Sequence, residues 1–424
     1  MDKIIYQNYL DILREELIPA MGCTEPIAVA YAGALARSVL KSIPESVELV
    51  VSGNIIKNVK SVIVPHTGGR KGLVTAVAAG ICYGKESKEL EVLSEATEEE
   101  IACLDAYLQS ANITVKQSTS ACAFDIQVTV RTQDDHAFVR IIGNHTNVIQ
   151  IRRNDEILLD KPFSDQLVQC HENRKTLNVK DLVCFANEVN VEEVREILQR
   201  QIDCNMKIAD AGLTGHYGAE IGKIILRSYG NSVQNRAKAW AAAGSDARMN
   251  GCELPVVINS GSGNQGMTAS IPVIIYAREC NVSEEMLFRA LVVSNLITIH
   301  LKTGIGSLSA YCGATSAGAG AGAGICYLYG GRYEEIAHTI VNTLAINSGM
   351  LCDGAKASCA AKIASSVEAG LLGWQMSQHD SQFYSGDGII LKGVENTIQA
   401  VSDLARDGMR SIDTEIIKLM LGNT

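Results

Sequence analysis

The stretch Ala-Tyr-Cys-Gly-Ala-Thr-Ser-Ala-Gly-Ala-Gly-Ala-Gly-Ala-Gly-Ile-Cys-Tyr-Leu (310–328) decides how this chain folds. It lies within a run, 303–331, that carries no charged residue and is long enough to cross a bilayer as a helix. Its content argues against a span, because Gly, Ala and Ser dominate while Leu, Ile, Val and Phe are few. A buried helix with close neighbours fits better. Glycine costs about 1 kcal/mol per helical position relative to alanine, so the alternating Gly and Ala of 317–324 must be offset by tight contact.

Around this helix, periodic helical patterns run from about residue 178 to the end, with glycine-rich turns expected at 211–218, 244–251 and 259–266. Upstream, apolar residues at three- and four-residue steps predict a helix over 4–18, and a second over 25–42 starts near Pro26. The Val- and Ile-rich segment 46–64 predicts two strands around Gly53 and Asn54. Helices are expected over 70–84 and 90–109. Strong alternation predicts strands from Ile126 and from Ala137, paired across 132–136, with a third from Val148. The fold class is therefore α+β, a small antiparallel-sheet α/β domain followed by a mostly all-α C-terminal domain. Polar residues cluster at 165–178 (Gln169, His171, Glu172, Asn173, Arg174, Lys175) and mark a boundary. The expected division is 1–45, N-terminal helices packing on the C-terminal domain; 46–170, the α+β domain; and 171–424, the helical domain.

Composition bounds the function. The chain has 424 residues, 47% hydrophobic and 20% charged, with 5% aromatics and 37 glycines, which suits a large aliphatic, small-residue core. The net charge is −10 and no basic stripe occurs, so nucleic acid is not an expected partner, nor is a membrane. Thirteen cysteines, an odd number, and an N-terminus unlike a secretory signal point to a reducing cytoplasm, with most thiols as small buried hydrophobes.

Three cysteines stand out, Cys312, Cys352 and Cys359, each in a Gly/Ala/Ser-rich context. Three thiolates can hold three irons of a [4Fe–4S] cluster and leave the fourth open as a Lewis acid. Cys352 and Cys359 are seven apart and share a face if one continuous helix carries both, although Gly354 interrupts the pattern. The plainer alternative is three core thiols. Cys23, in Met-Gly-Cys-Thr-Glu-Pro (21–26), sits at a helix N-terminus, where N–H groups and dipole favour a thiolate. It can serve as nucleophile, cluster ligand or general base, or be a buried cysteine in a tight turn. The loop Asn-Ser-Gly-Ser-Gly-Asn-Gln-Gly (259–266) offers a nest for an anion or carboxylate, or is an ordinary connection. His145, in Gly-Asn-His-Thr-Asn (143–147), can orient a ligand or donate a proton, though a hairpin-tip histidine is commoner. His66, His216, and the pair His300 and Lys302 are weaker candidates of the same kind.

Together Gly-Cys-Thr-Glu-Pro (22–26), Ser-Gly-Ser-Gly-Asn-Gln-Gly (260–266), Ala-Tyr-Cys-Gly-Ala (310–314) and Leu-Cys-Asp-Gly-Ala-Lys (351–356) with Cys359 resemble the L-cysteine desulfidase family, relatives of the iron–sulfur L-serine dehydratases. The resemblance covers nearly the whole chain. It implies a [4Fe–4S] cluster on Cys312, Cys352 and Cys359 and Cys23 as proton acceptor. The dehydratases space their last two cluster cysteines more widely than 352 and 359. The implied activity is a carbon–sulfur lyase of cysteine catabolism that releases sulfide from L-cysteine and yields pyruvate and ammonia without pyridoxal phosphate. Substrate contacts are expected at Ser260, Gly261, Ser262, Gly263, Asn264, Gln265, His145 and Thr146, between the N- and C-terminal parts. The expected partners are a small amino acid and a second copy in a homodimer. The alternatives are an L-serine dehydratase, a non-catalytic iron–sulfur sensor and a metal-free amino-acid-binding protein.

Overall fold

The computed structural model describes residues 1–120, 122–163, 172–306 and 308–422; the expected boundary at 170/171, with Gln169 and His171, lies outside the described residues. The fold is α+β. Strand β1 (Pro19–Met21) precedes a six-stranded sheet built from β2 (Ser46–Val51), β3 (Asn112–Gln117), β4 (Asp125–Arg131), β5 (His136–Ile142), β6 (Val148–Arg153) and β7 (Glu156–Asp160). The order is β3-β2-β4-β5-β6-β7. Neighbours are antiparallel except β2 and β3, so the expected antiparallel sheet carries one parallel edge strand. A parallel pair needs a crossover. Here it contains the helices Gly53–Val59, Gly72–Tyr83 and Glu98–Ser110.

Alternation explains the sheet. Val47, Leu49 and Val51, then Ile126, Val128 and Val130, then Ala137, Val139 and Ile141 are buried on one face. Helix Thr24–Leu40 packs on β4 and β5 and on helix Gly72–Tyr83. The sequence reading places this helix in an N-terminal unit, 1–45, that packs on the C-terminal domain. Its residues Ala28, Ala30, Ala32 and Ala34 are all fully buried, so it can be covered on several sides. A Cβ at Gly80 would lie 1.9 Å from the Ala30 carbonyl oxygen, which shows how closely the two helices approach. Helix Lys3–Glu16 does pack on the C-terminal region: Tyr9 donates to the Thr176 carbonyl at 2.7 Å, and Tyr6 meets Phe185 edge-on at 5.2 Å.

Segment 46–64 differs from expectation. Its first half is β2, but after Ser52 the chain turns into helix Gly53–Val59. The helix buries Ile55, Ile56 and Val59, spaced to share its inner side, so tertiary burial overrides β-branched preference. The turns expected at 211–218 and 244–251 begin later, because helices Glu192–Thr214 and Val233–Met249 continue through Gly212 and Gly244. A Cβ at Gly212 would fall 2.0 Å from the Ala243 carbonyl oxygen, and one at Gly244 would fall 2.6 Å from Met267 Sδ. These glycines are contact points between helices.

Helix Gly313–Leu328 is the buried central helix of the C-terminal part. It packs on helices Gly263–Glu279, Glu284–Ile305, Tyr333–Ile346 and Cys359–Gln378. Added Cβ atoms would lie 2.3 Å from the Ser366 carbonyl oxygen at Gly318, 2.1 Å from Thr298 Oγ1 at Gly320 and 2.6 Å from the Gly370 carbonyl oxygen at Gly322. Helix Glu284–Ile305 is long and apolar enough to cross a membrane, and 72% of its apolar window is buried inside the fold.

Two long-range pairings bring distant motifs together. Strand β1 pairs antiparallel with β8 (Pro255–Val257), placing the turn after Met21 beside the loop after Ile258. An isolated bridge joins Tyr311 to Leu351.

Candidate active site

The bridge fixes the first two cysteines. The Cys312 amide donates to the Met350 carbonyl at 3.1 Å, and the Cys352 amide to the Ala310 carbonyl at 2.6 Å. Cys312 is the N-cap of helix Gly313–Leu328, and Cys359 is the first residue of helix Cys359–Gln378. Cys352 therefore does not share a helix with Cys359; it lies in a loop that turns at Gly354, with φ of +96°. A Cβ there would meet the Lys57 carbonyl oxygen at 2.3 Å, so glycine lets the loop lie flush on helix Gly53–Val59. Lys57 Nζ donates to the Cys352 carbonyl at 3.2 Å and pairs with Asp413 at 2.5 Å. Lys362 donates to the Leu351 carbonyl at 2.6 Å and pairs with Asp353, which Lys356 also contacts. Burial would raise the Asp353 carboxyl, but these two lysines hold it down at about 2.

Cys312, Cys352 and Cys359 line one inner chamber of about 100 Å³, together with Cys23, Ser262, Asn264 and Gln265. Residues separated by more than 300 positions thus converge. Cys23 is 2% exposed and packs with Val62, Met249, Ala355 and Cys359. It is the N-cap of helix Thr24–Leu40, and its Sγ lies 3.3 Å from Glu25 Oε2. The sequence expected the helix dipole to favour a thiolate here. Instead burial, reinforced by the Glu25 carboxylate, pushes the thiol well up, with the Arg248 guanidinium opposing. Burial also pushes Cys312 up to about 12, and raises Cys359. A compensating cation beside them is what favours loss of their protons.

Arg248, Lys302 and Lys362 also line the chamber, with Glu25 as its carboxylate. The chain is acidic overall, yet this cavity is cationic, which favours thiolates and anionic ligands. Burial draws Lys302 down to about 8 against the pull of the Cys352 and Cys312 sulfurs, and its Nζ donates to the Gly306 carbonyl at 2.5 Å. Among the described residues, no three His, Cys, Asp or Glu side chains converge tightly enough to chelate a single metal ion. The three thiols line one cationic cavity, a donor set of the kind that serves a multi-iron cluster with one sulfur per iron.

The expected substrate residues divide between two spaces. His145, Thr146, Ser260 and Gly261 line an outer cleft of about 1080 Å³, and Ser262, Asn264 and Gln265 line the inner chamber. Lys302, Leu308 and Ser309 line both, so the cleft adjoins the chamber. Gly263 opens helix Gly263–Glu279, where first-turn N–H groups lack intrahelical partners. His145 is buried edge-on against Phe124 at 4.8 Å. Burial lowers its pKa, which favours a neutral ring rather than an imidazolium proton donor. The other candidate histidines stand elsewhere: His66 beside Glu253 at 3.4 Å, His216 on Glu220 at 2.7 Å, His300 on Glu395 at 2.7 Å. None of the three lines either space.

Sequence reasoning missed Arg248, Glu25, Tyr311 and Lys362. Arg248 is 2% exposed and sits in the last turn of helix Val233–Met249, where a cation ordinarily complements the dipole from the surface.

The family model for the serine dehydratase alpha chain matches residues 87–418. A UPF0597 protein of Desulfitobacterium hafniense is 56% identical over 98% of this chain and 97% of its own length. UPF0597 proteins of Treponema denticola and Lachnoclostridium phytofermentans are 46% and 47% identical, over 99% and 98% of this chain and 99% and 100% of theirs.

Proposed function

The chain belongs to the serine dehydratase alpha-chain family, a group of iron–sulfur lyases, and we propose that its reaction is the elimination of sulfide from L-cysteine on a [4Fe–4S] cluster. The observation that carries this reading is the convergence of Cys312, Cys352, Cys359 and Cys23 on one chamber. Cys312, Cys352 and Cys359 would hold the cluster. When bound with one iron open, such a cluster supplies a Lewis acid for the departing group.

The rest is the work of the chain's own residues. Cys23 takes the α-proton, after Glu25, 3.3 Å from its Sγ, has accepted the thiol's own proton. Arg248 favours the resulting thiolate. The electron pair left by the α-proton forms the Cα–Cβ double bond as the Cβ–S bond breaks and sulfide leaves. The aminoacrylate tautomerises and hydrolyses to pyruvate and ammonia. Burial of Cys23 keeps bulk water from competing for the proton.

The family model itself favours a second reading, in which L-serine is the substrate and water the leaving group. Steady-state pyruvate release by the anaerobically reconstituted chain separates the two. The desulfidase reading expects a higher kcat/KM for L-cysteine, with sulfide released in step with pyruvate. A higher kcat/KM for L-serine would overturn it in favour of the dehydratase.

A further inference from the structure

We propose that Arg248 grips the carboxylate of an α-amino acid in the inner chamber, while the side-chain oxygens of Gln265 and Asn264 receive its ammonium group. This rests on the reading of the chamber as an amino-acid site, and it replaces the loop 260–266 as the principal carboxylate holder.

Arg248 Nε and Nη2 are buried and donate to no partner among the described residues. A guanidinium taken out of water without a counter-ion is costly, and these Arg248 nitrogens have no hydrogen-bond partner among the described residues. Gln265 Oε1 and Asn264 Oδ1 are likewise buried and without a hydrogen-bond partner among the described residues, and all three side chains line the same small chamber. Single orphaned atoms occur elsewhere in the fold, but here donors and acceptors of opposite polarity meet in one cavity.

The backbone makes room for this arrangement. A Cβ at Gly263 would lie 2.4 Å from Arg248 Nε and 2.8 Å from its Cζ. A Cβ at Gly313 would lie 2.6 Å from the Gln265 side-chain carbonyl carbon. Glycine at these positions seats the guanidinium against the start of helix Gly263–Glu279 and Gln265 against the turn that carries Cys312. The chemistry is that of a zwitterion: a planar fork for a carboxylate, oxygen acceptors for an ammonium. Of the loop N–H groups, that of Ser262 is already engaged, donating to the Asn259 carbonyl at 3.1 Å.

The test is binding of L-alanine, which has both groups and no β-leaving group, to anaerobically reconstituted protein by calorimetry. Propionate and ethylamine serve as probes lacking one group each. The wild type should bind L-alanine more tightly than either. Arg248→Gln should weaken L-alanine by at least about 30-fold while leaving ethylamine unchanged. Arg248→Lys, which keeps the charge without the fork, should fall between. In turnover KM should rise through loss of the clamp, while kcat falls as well because Arg248 also favours the Cys23 thiolate. If Arg248→Gln does not fold, Gly263→Ala, which displaces the guanidinium, carries the same expectation. L-alanine affinity unchanged in a folded variant would overturn the clamp and leave the lyase reading intact. A wild type that turns over no amino acid and binds none would overturn both.

Discussion

Thr24 Oγ1 donates a hydrogen bond to the Gly261 carbonyl oxygen at 2.9 Å, across 237 positions of sequence. With the β1–β8 pairing beside it, this bond locks the turn that carries Cys23 to the loop that opens the substrate helix. Thr24→Val should cost about 1 kcal/mol of stability and lower kcat, with iron content unchanged. Thr24→Ser, which keeps the hydroxyl, should restore both. Denaturant unfolding and single-substrate kinetics check the pair.

Cys23 is assigned to proton transfer and not to metal binding. Cys23→Ala should keep the iron and acid-labile sulfide of the wild type while losing about 10²- to 10⁴-fold in pyruvate formation. Loss of iron in that variant would make Cys23 a ligand instead.

The central helix depends on its glycines. Gly318→Ala and Gly322→Ala, whose methyl groups would press on the Ser366 and Gly370 carbonyl oxygens, should each destabilise by about 1–3 kcal/mol. Gly349→Ala, with nothing within 4 Å of the added Cβ, should not. The urea midpoints of the three variants give the comparison.

Asp246 supplies a pH dependence away from the cluster cysteines. Burial raises its carboxyl from 3.8 to about 6, against the backbone N–H groups of Ile221, Ala219 and Gly222. Between those values the folded chain holds the proton more tightly than the unfolded chain. Its contribution to stability is therefore fully present below about 4, declines as pH rises and is lost above about 6. Relative to Asp246→Asn, the wild type should lose stability over that window and then level off. Thermal unfolding of both proteins from pH 4 to 7 measures it.

The sequence disclosed what is local. Alternation at 126–131 and 137–142 gave the central hairpin because one face of the sheet is buried. The Gly/Ala run gave the packed helix because close approach is what those residues allow. Helix Gly53–Val59 was hidden, since its β-branched residues favour a strand until the third dimension supplies other neighbours. The four cysteines were visible as types and through family motifs, but their convergence depends on β1–β8 and the Tyr311–Leu351 bridge, pairings that no local pattern encodes. Arg248 was invisible for a related reason, because burial and not sequence context distinguishes it from an ordinary helix-terminal cation.

The most direct measurement is iron and acid-labile sulfide per chain after anaerobic reconstitution, in wild type and in Cys312→Ser, Cys352→Ser and Cys359→Ser, alongside sulfide and pyruvate release from L-cysteine. The expected result is a cluster in the wild type that each substitution removes, with activity lost in parallel. Iron-free protein that still releases sulfide and pyruvate would contradict the central claim.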